Sequence, residues 1–251
     1  VADLIYGINA VSEGLRSSRR KPLSLVLQRD SKSPRLVQLQ REAESAGVPV
    51  ARRDRRELDR LVGHGHHQGA LLEIEPFAYL SLEELLQRWR VSEAPAFFLV
   101  LDGITDPHNL GAILRSADGA GCHGVIVTKD RACPVTGVVD KVSAGALEHV
   151  PLCQVTNLAR TLDALRKEGV WVYGLAGEEG ASPLYDTDLC GDLALVVGSE
   201  GTGLRPNTRS HCDLLLAIPL RGKVSSLNAS VATSVALFEA GRQRRLPSSD
   251  N

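Results

Sequence analysis

The sequence has no methionine, five cysteines and only 4% aromatic residues among its 251 positions. Nothing in the sequence explains the missing methionine. The cysteines, at positions 122, 133, 153, 190 and 212, are odd in number, widely spaced and never form Cys-x-x-Cys. That argues for buried thiols and against a disulfide framework or a zinc site. So few aromatics exclude the stacking platform that single-strand nucleic-acid binders use. No apolar run approaches the ~20 residues of a membrane span, so no membrane partner is expected. The start, VADLIYGINAV, has no basic stretch ahead of an apolar one. No secretory signal is therefore expected, and the cytoplasm is the expected location. Also missing are a G-x-G-x-x-G turn leading from a strand into a helix, with its later acidic residue, and G-K-[ST]; the first ranks a nucleotide-dependent oxidoreductase last and the second excludes a P-loop enzyme.

What is present divides in two. A hydrophobic content of 43% suits a globular chain with a real core. The net charge of −1 hides an asymmetry: residues 1–76 carry 13 Lys/Arg against 10 Asp/Glu, and the remainder carries 16 against 20. A mildly basic module on a mildly acidic one is compatible with a nucleic-acid partner. RSSRRK (16–21) and RRDRR (52–56) are its basic clusters, although each also fits an ordinary solvated face. The module alternates: LSLVLQ (23–28) suits a strand, PRLVQLQREAESAG a helix closed by Gly47, VPVAR a strand, RRELDRLV a helix and QGALLEIEP a strand. Residues 77–95 then form a short helix and tether.

From residue 96 the pattern is apolar strands between helical stretches. The strands are AFFLVL (96–101), GVIVT (124–128), PLCQV (151–155), VWVYGL (170–175), LALVVG (193–198) and LLLAIPL (214–220). Most are apolar throughout, as strands buried on both faces are, so a parallel sheet covered by helices is expected over 96–246. The end, RRLPSSDN, is expected to fray.

Ligands of open parallel sheets bind beyond the carboxyl ends of strands. Three such ends carry unusual chemistry. In DPHNLGAILRSADGAG (106–121), Leu110, Ile113, Leu114 and Ala117 make a helical stripe facing the sheet. Asn109 sits where a cap belongs, and Arg115 falls off the stripe. In GSEGTG (198–203), three glycines allow close backbone approach, and Glu200 suits a cation or a sugar hydroxyl better than a phosphate. In IPLRGKVSSLNASVATSVALFEA, from Ile218, Ser226 and Asn228 open a long helix whose apolar face is expected at Val231, Val235 and Phe238. Each loop also has a plain reading: a cap with a surface Arg, a turn with an exposed Glu, a second cap.

DPHNLGAILRSADGAG, LALVVGSEGTGLR and IPLRGKVSSLNASVATSVALFEA resemble the three ordered motifs of the SpoU family, the TrmH-like RNA ribose 2′-O-methyltransferases of the SPOUT superfamily. The N-terminal half, including HHQG (66–69), is similar to that family's small substrate-binding domain. The resemblance implies an α/β fold: an N-terminal RNA substrate-binding domain (1–76), a linker (77–95) and a C-terminal parallel-sheet methyltransferase domain (96–246) with a deep trefoil knot. It implies S-adenosyl-L-methionine as cofactor, held at Gly198, Ile218 and Leu227. It implies a polar site of Asn109, Arg115, Glu200, Ser226 and Asn228, and a homodimer. The members it most resembles methylate a guanosine ribose of 23S ribosomal RNA; transfer RNA, or an assembly role without catalysis, are the alternatives.

Arg115 is the family's usual candidate for the base. Guanidinium pKa lies above ~12, so gripping a phosphate and stabilising an alkoxide suits it better. Glu200 would position Arg115 or accept from the ribose; Asn109, Ser226 and Asn228 would orient. No metal is expected: HGHHQG (64–69) lacks a cysteine or acidic pair at ligand spacing, and His66 and His67 suit hydrogen bonding or RNA contact. The basic module would recognise a folded RNA by phosphate and 2′-hydroxyl contacts.

Overall fold

The computed structural model describes residues 2–63, 65–177 and 180–245. His64 of the histidine run and the 246–251 tail lie outside these residues. The chain divides into two compact units, one of residues 1–78 with 135–149, the other of 79–134 with 150–251.

The first unit begins with β1 (Asp3–Tyr6) and α1 (Ile8–Arg16), then β2 (Pro22–Gln28), α2 (Pro34–Ser45), β3 (Val50–Arg53), α3 (Arg55–Val62) and β4 (Ala70–Ile74). The alternation expected from 23 onward is present, and β1 and α1 precede it. The sheet order is β1-β4-β2-β3, with β4 antiparallel to both neighbours and β2 parallel to β3. α3 starts on a reciprocal cap: the Asp54 side chain takes the Glu57 amide, and Glu57 reaches back to the Asp54 amide. Ile5, Val11, Leu25, Leu39, Leu72 and Ile74 fill the core. His67 is buried, with Nε2 3.0 Å from Asp59 Oδ1 and Nδ1 accepting from the Gly69 amide at 2.9 Å. Both ring nitrogens serve the fold, so the RNA-facing reading of His67 is corrected.

Residues 135–149, within the stretch read from the sequence as the second domain, belong to this unit. They form α6 (Gly137–Ser143) and a short 3-10 turn, and α6 packs on β1. Arg20, 4% exposed, is sandwiched by Asp140 and Glu148, themselves 1% and 5% exposed. Arg20 Nη2 is 3.1 Å from Asp140 Oδ2 and also bonds Glu148 Oε1. Burial pushes the Asp140 carboxyl up to about 6; Arg20 pulls it down, and the like charge of Glu148 adds to the rise.

The second unit holds α4 (Leu82–Ser92), β5 (Phe97–Asp102), α5 (Pro107–Ala120), β6 (Gly124–Thr128), β7 (Leu152–Val155), α7 (Leu158–Lys167), β8 (Trp171–Leu175), β9 (Ser182–Pro183), β10 (Leu193–Gly198), α8 (Pro206–Arg209), β11 (Leu214–Ala217) and α9 (Ala229–Arg245). Among the described residues the strands run β7-β6-β5-β10-β8-β11-β9, every pair parallel. β5 and β10 are buried at all six positions, as their apolar runs require, and in β5 the burial includes the closing Asp102. α4 and α7 cover one face through Leu85, Leu86, Leu158, Leu162 and Leu165. α5 buries the expected stripe, Leu110, Ile113, Leu114 and Ala117, and packs against α9. In α9 the expected face is not the inner one. Val231 and Phe238 are 48% and 52% exposed, while Ala229, Thr233, Ala236, Leu237 and Ala240 turn inward. Leu237 apart, the inner residues are small and let α9 lie close to its neighbours.

Of the cysteines, Cys122, Cys133 and Cys153 are buried, Cys212 is half-buried and Cys190 is exposed. Burial pushes the Cys122, Cys153 and Cys212 thiols up to about 12, so they are unreactive at neutral pH. No helix among the described residues is long and apolar enough to cross a membrane.

Candidate active site

β5 and β10 lie side by side at the middle of the sheet, and the chain leaves their ends in opposite directions, β5 toward β6 and β10 toward β11. Such a reversal opens a crevice at the strands' carboxyl ends. Asp102 closes β5 and pairs in register with Gly198, which closes β10.

The β5 loop leads into α5. Its cap is Asp106, whose Oδ1 accepts from the His108 amide at 3.0 Å, with Pro107 in the first turn. Asn109 is therefore not the cap, as the sequence had suggested. It sits one step deeper, 7% exposed, with its side chain released for other partners.

After β10 the chain makes a closed turn. The Gly203 amide donates to Ser199 O at 2.9 Å, and the Ser199 and Thr202 hydroxyls are 2.6 Å apart. A Cβ on Gly198 would strike the backbone of Gly203 and Leu204, so only glycine allows the turn to fold back on its own strand. Glu200 stands on this turn.

The third loop delivers Asn228 to the start of α9. Asn228 Oδ1 accepts from the Ser230 amide and hydroxyl, at 3.0 and 2.6 Å, and from the Val231 amide at 3.3 Å. It is the helix cap. Its Nδ2 donates to Asn109 Oδ1 at 3.0 Å and to Glu200 Oε1. The Ala229 amide also donates to Glu200 Oε1, at 3.3 Å, placing the carboxylate at the positive end of α9. One asparagine thus joins the three loops. Among the described residues, Asn109 Nδ2 and Glu200 Oε2 have no partner and remain available.

A cavity of about 640 Å³ opens beside this cluster. Leu175, Val197, Ile218, Leu220 and Leu227 give it apolar walls; Gly198, Glu200, Ser226 and Asn228 are also in its lining. Leu220 and Leu227 are 40% and 37% exposed at its rim, apolar surface that a bound group would cover. The volume and the mix of apolar wall and few polar groups fit a nucleoside with an amino-acid tail. The residues at hand therefore fit S-adenosylmethionine.

Of the eight residues singled out in the sequence, the structure places Gly198, Glu200, Ile218, Ser226, Leu227 and Asn228 on one cavity and ties Asn109 to it through Asn228. Arg115 stands apart, exposed on α5, with no hydrogen bond or ion pair among the described residues. Sequence reasoning missed Asp102 and Arg205. Asp102 Oδ2 accepts from the Arg205 amide at 2.9 Å, and its Oδ1 is 3.4 Å from Arg205 Nε. The available signal was a charge ending a wholly apolar strand.

Comparison with known proteins agrees with this geometry. Residues 96–238 match the SpoU rRNA Methylase family, and residues 4–80 match the RNA 2′-O ribose methyltransferase substrate-binding domain. The 23S rRNA (guanosine-2′-O-)-methyltransferase RlmB of Pseudomonas putida is 49% identical over 245 residues, covering 96% of this chain and 97% of that protein. The protein of the same name from Escherichia coli is 45% identical over 244 residues, covering 97% and 100%. Among solved structures, the SpoU methyltransferase AviRb of Streptomyces viridochromogenes in complex with AdoMet superposes with a TM-score of 0.80 at 26% identity, covering 97% of this chain and 90% of that one. With its three loops joined at one cavity and both domains matched along nearly the whole length, this chain belongs to the SpoU rRNA methylase family.

Proposed function

We infer that this chain methylates the ribose 2′-hydroxyl of a guanosine in 23S ribosomal RNA, with S-adenosylmethionine as donor. The observation that carries the reading is the Asn109–Asn228–Glu200 cluster on the rim of an apolar-walled cavity, in a chain 45–49% identical to guanosine-2′-O-methyltransferases over their full length.

When bound, the donor supplies an electrophilic methyl on a sulfonium whose departure leaves a neutral thioether. Gly198, Ile218 and Leu227 hold it by backbone and apolar contact. The protein's remaining task is to orient the hydroxyl and ease loss of its proton. Glu200 Oε2 accepts from the ribose, and Asn109 Nδ2 donates to it. Asn228 has both ends of its amide engaged, so it positions the other two. Ser226 orients the substrate from the cavity wall. Arg115, unpaired and facing solvent, grips an RNA phosphate and stabilises the developing alkoxide; the proton passes to phosphate or water.

The first unit binds the folded RNA through phosphates and 2′-hydroxyls. The exposed apolar side of α9, Val231 and Phe238, supports a homodimer whose interface covers it. The trefoil knot belongs to the same reading, as does work in the cytoplasm beside the RNA.

Methyl transfer from labelled donor to unmodified 23S ribosomal RNA, with mapping of ribose methylation, tests the proposal. A single modified guanosine is expected. Transfer to transfer RNA alone changes the substrate, and tight binding with no transfer to either leaves an assembly factor.

A further inference from the structure

Asp102 is a carboxylate in the wrong company. Its side chain is wholly buried, five apolar residues precede it in β5, and no catalytic role requires it. A buried carboxylate is tolerated only where the structure pairs it. Among the described residues its one cation is Arg205, at 3.4 Å, and it also accepts from the Arg205 amide at 2.9 Å. Among the described residues Oδ1 has no hydrogen-bond partner, so the ion pair alone compensates it.

Arg205 is held on its other side by an absence. Gly103 has φ +81°, and a Cβ there would come within 2.7 Å of Arg205 Nη2. The guanidinium therefore lies across the chain where it leaves β5. Just before Arg205, Leu204 is packed against the core of the second unit.

These contacts surround both feet of the turn that carries Glu200. The turn leaves the sheet at Gly198, the register partner of Asp102, and returns at Arg205, its hydrogen-bond partner. Between the feet the turn has its own closure, Gly203 to Ser199, and its Glu200 is tied to the start of α9 by Asn228 and the Ala229 amide; among the described residues no other strand supports its backbone. Glu200 and Gly198 both face the cavity.

We propose that Asp102 is a positioning residue for methyl transfer: through Arg205 it clamps the 198–205 turn, and so sets Gly198 against the donor and Glu200 against the ribose. It touches neither. The inference rests on the function read above, and binding of the demethylated product to the unaltered chain separates the two. If the unaltered chain does not bind S-adenosylhomocysteine, the function is wrong; if it binds, the variants judge the clamp.

Three variants grade the clamp. Asp102→Ala removes both contacts, Asp102→Asn keeps an oxygen for the Arg205 amide, and Arg205→Ala removes the guanidinium alone. Calorimetry with S-adenosylhomocysteine, single-turnover methylation at saturating donor and hydrogen exchange are read on the full chain. A hydrogen bond to a charged group is worth roughly tenfold to a hundredfold in an equilibrium, so Asp102→Ala should weaken binding by about thirtyfold or more. Asp102→Asn and Arg205→Ala should fall between, at about threefold to tenfold. Exchange should quicken at residues 199–204 and stay native in β5 and β10. Native affinity and rate in Asp102→Ala overturn the proposal, as does a loss matched by faster exchange throughout the sheet. If Asp102→Ala does not fold, native affinity and native exchange at 199–204 in the other two overturn it.

Discussion

Asn228 Nδ2 lies 3.0 Å from Asn109 Oδ1, joining the starts of two helices 119 residues apart in the chain. The same amide caps α9 through its oxygen and holds Glu200 through its nitrogen. Asn228→Asp separates these tasks. It keeps the capping oxygen and sets a second carboxylate against Glu200. With the cap kept, stability in urea should change by less than the ~1 kcal/mol that losing a cap costs. Single-turnover methylation should fall about a hundredfold, the scale of an ångström of misplacement. A native rate would remove Asn228 from the site.

Arg115 gives the same dissociation between folding and chemistry from an exposed position. It is exposed and unpaired among the described residues, so Arg115→Ala should shift stability by no more than ~0.5 kcal/mol. If it stabilises the alkoxide, the single-turnover rate at saturating RNA should fall by roughly 10²–10³. A fall only in RNA affinity would reduce it to a phosphate contact.

In the first unit, Arg20 is the buried cation between two carboxylates, and Arg20→Ala leaves both uncompensated. Loss of one partner from a buried pair costs about 3–5 kcal/mol, measurable by denaturant titration. The partners Asp140 and Glu148 come from the 135–149 excursion. A fragment of residues 1–78 should therefore be less stable than the same unit within the full chain. Equal protection of β2 and β4 in hydrogen exchange would refute this.

Asp140 also gives the unit a pH dependence. Folded, its carboxyl is raised to about 6, chiefly by burial; unfolded, it titrates near the ordinary value of roughly 3.9. The folded state binds the proton more tightly. Its stabilising contribution is whole below about pH 4 and lost as pH rises through about 6. Denaturation midpoints between pH 4 and 7 should carry this downward component, and Asp140→Asn should remove it. Identical slopes in the two proteins would show that Asp140 is ionised throughout.

Phe238 tests the assembly. Half exposed on α9 beside Val231, it should be covered by the partner's copy in a dimer. Phe238→Glu should turn a dimer into a monomer in sedimentation, with the fold intact by circular dichroism. An unchanged sedimentation coefficient would place the interface elsewhere.

Much of this was legible in the residues alone. β5 and β10 are apolar at nearly every position, and only a sheet covered on both faces makes that favourable, so the parallel class followed from composition along the strand. The α5 stripe followed from helical spacing, and the three loops were marked by glycines, caps and charges where apolar strands ended. Tertiary structure decided the rest. Asn109 looked like a cap because a cap is read from neighbours; Asp106 takes that place, and only the fold brings Asn228 from 119 residues away to receive Asn109. The inner face of α9 was misread because periodicity finds apolar positions but not the closeness of packing, which selects alanine and threonine. The 135–149 excursion left no local pattern, and of the Asp102–Arg205 pair only the charge ending β5 showed, because a buried charge is compensated by a partner in space and not in sequence.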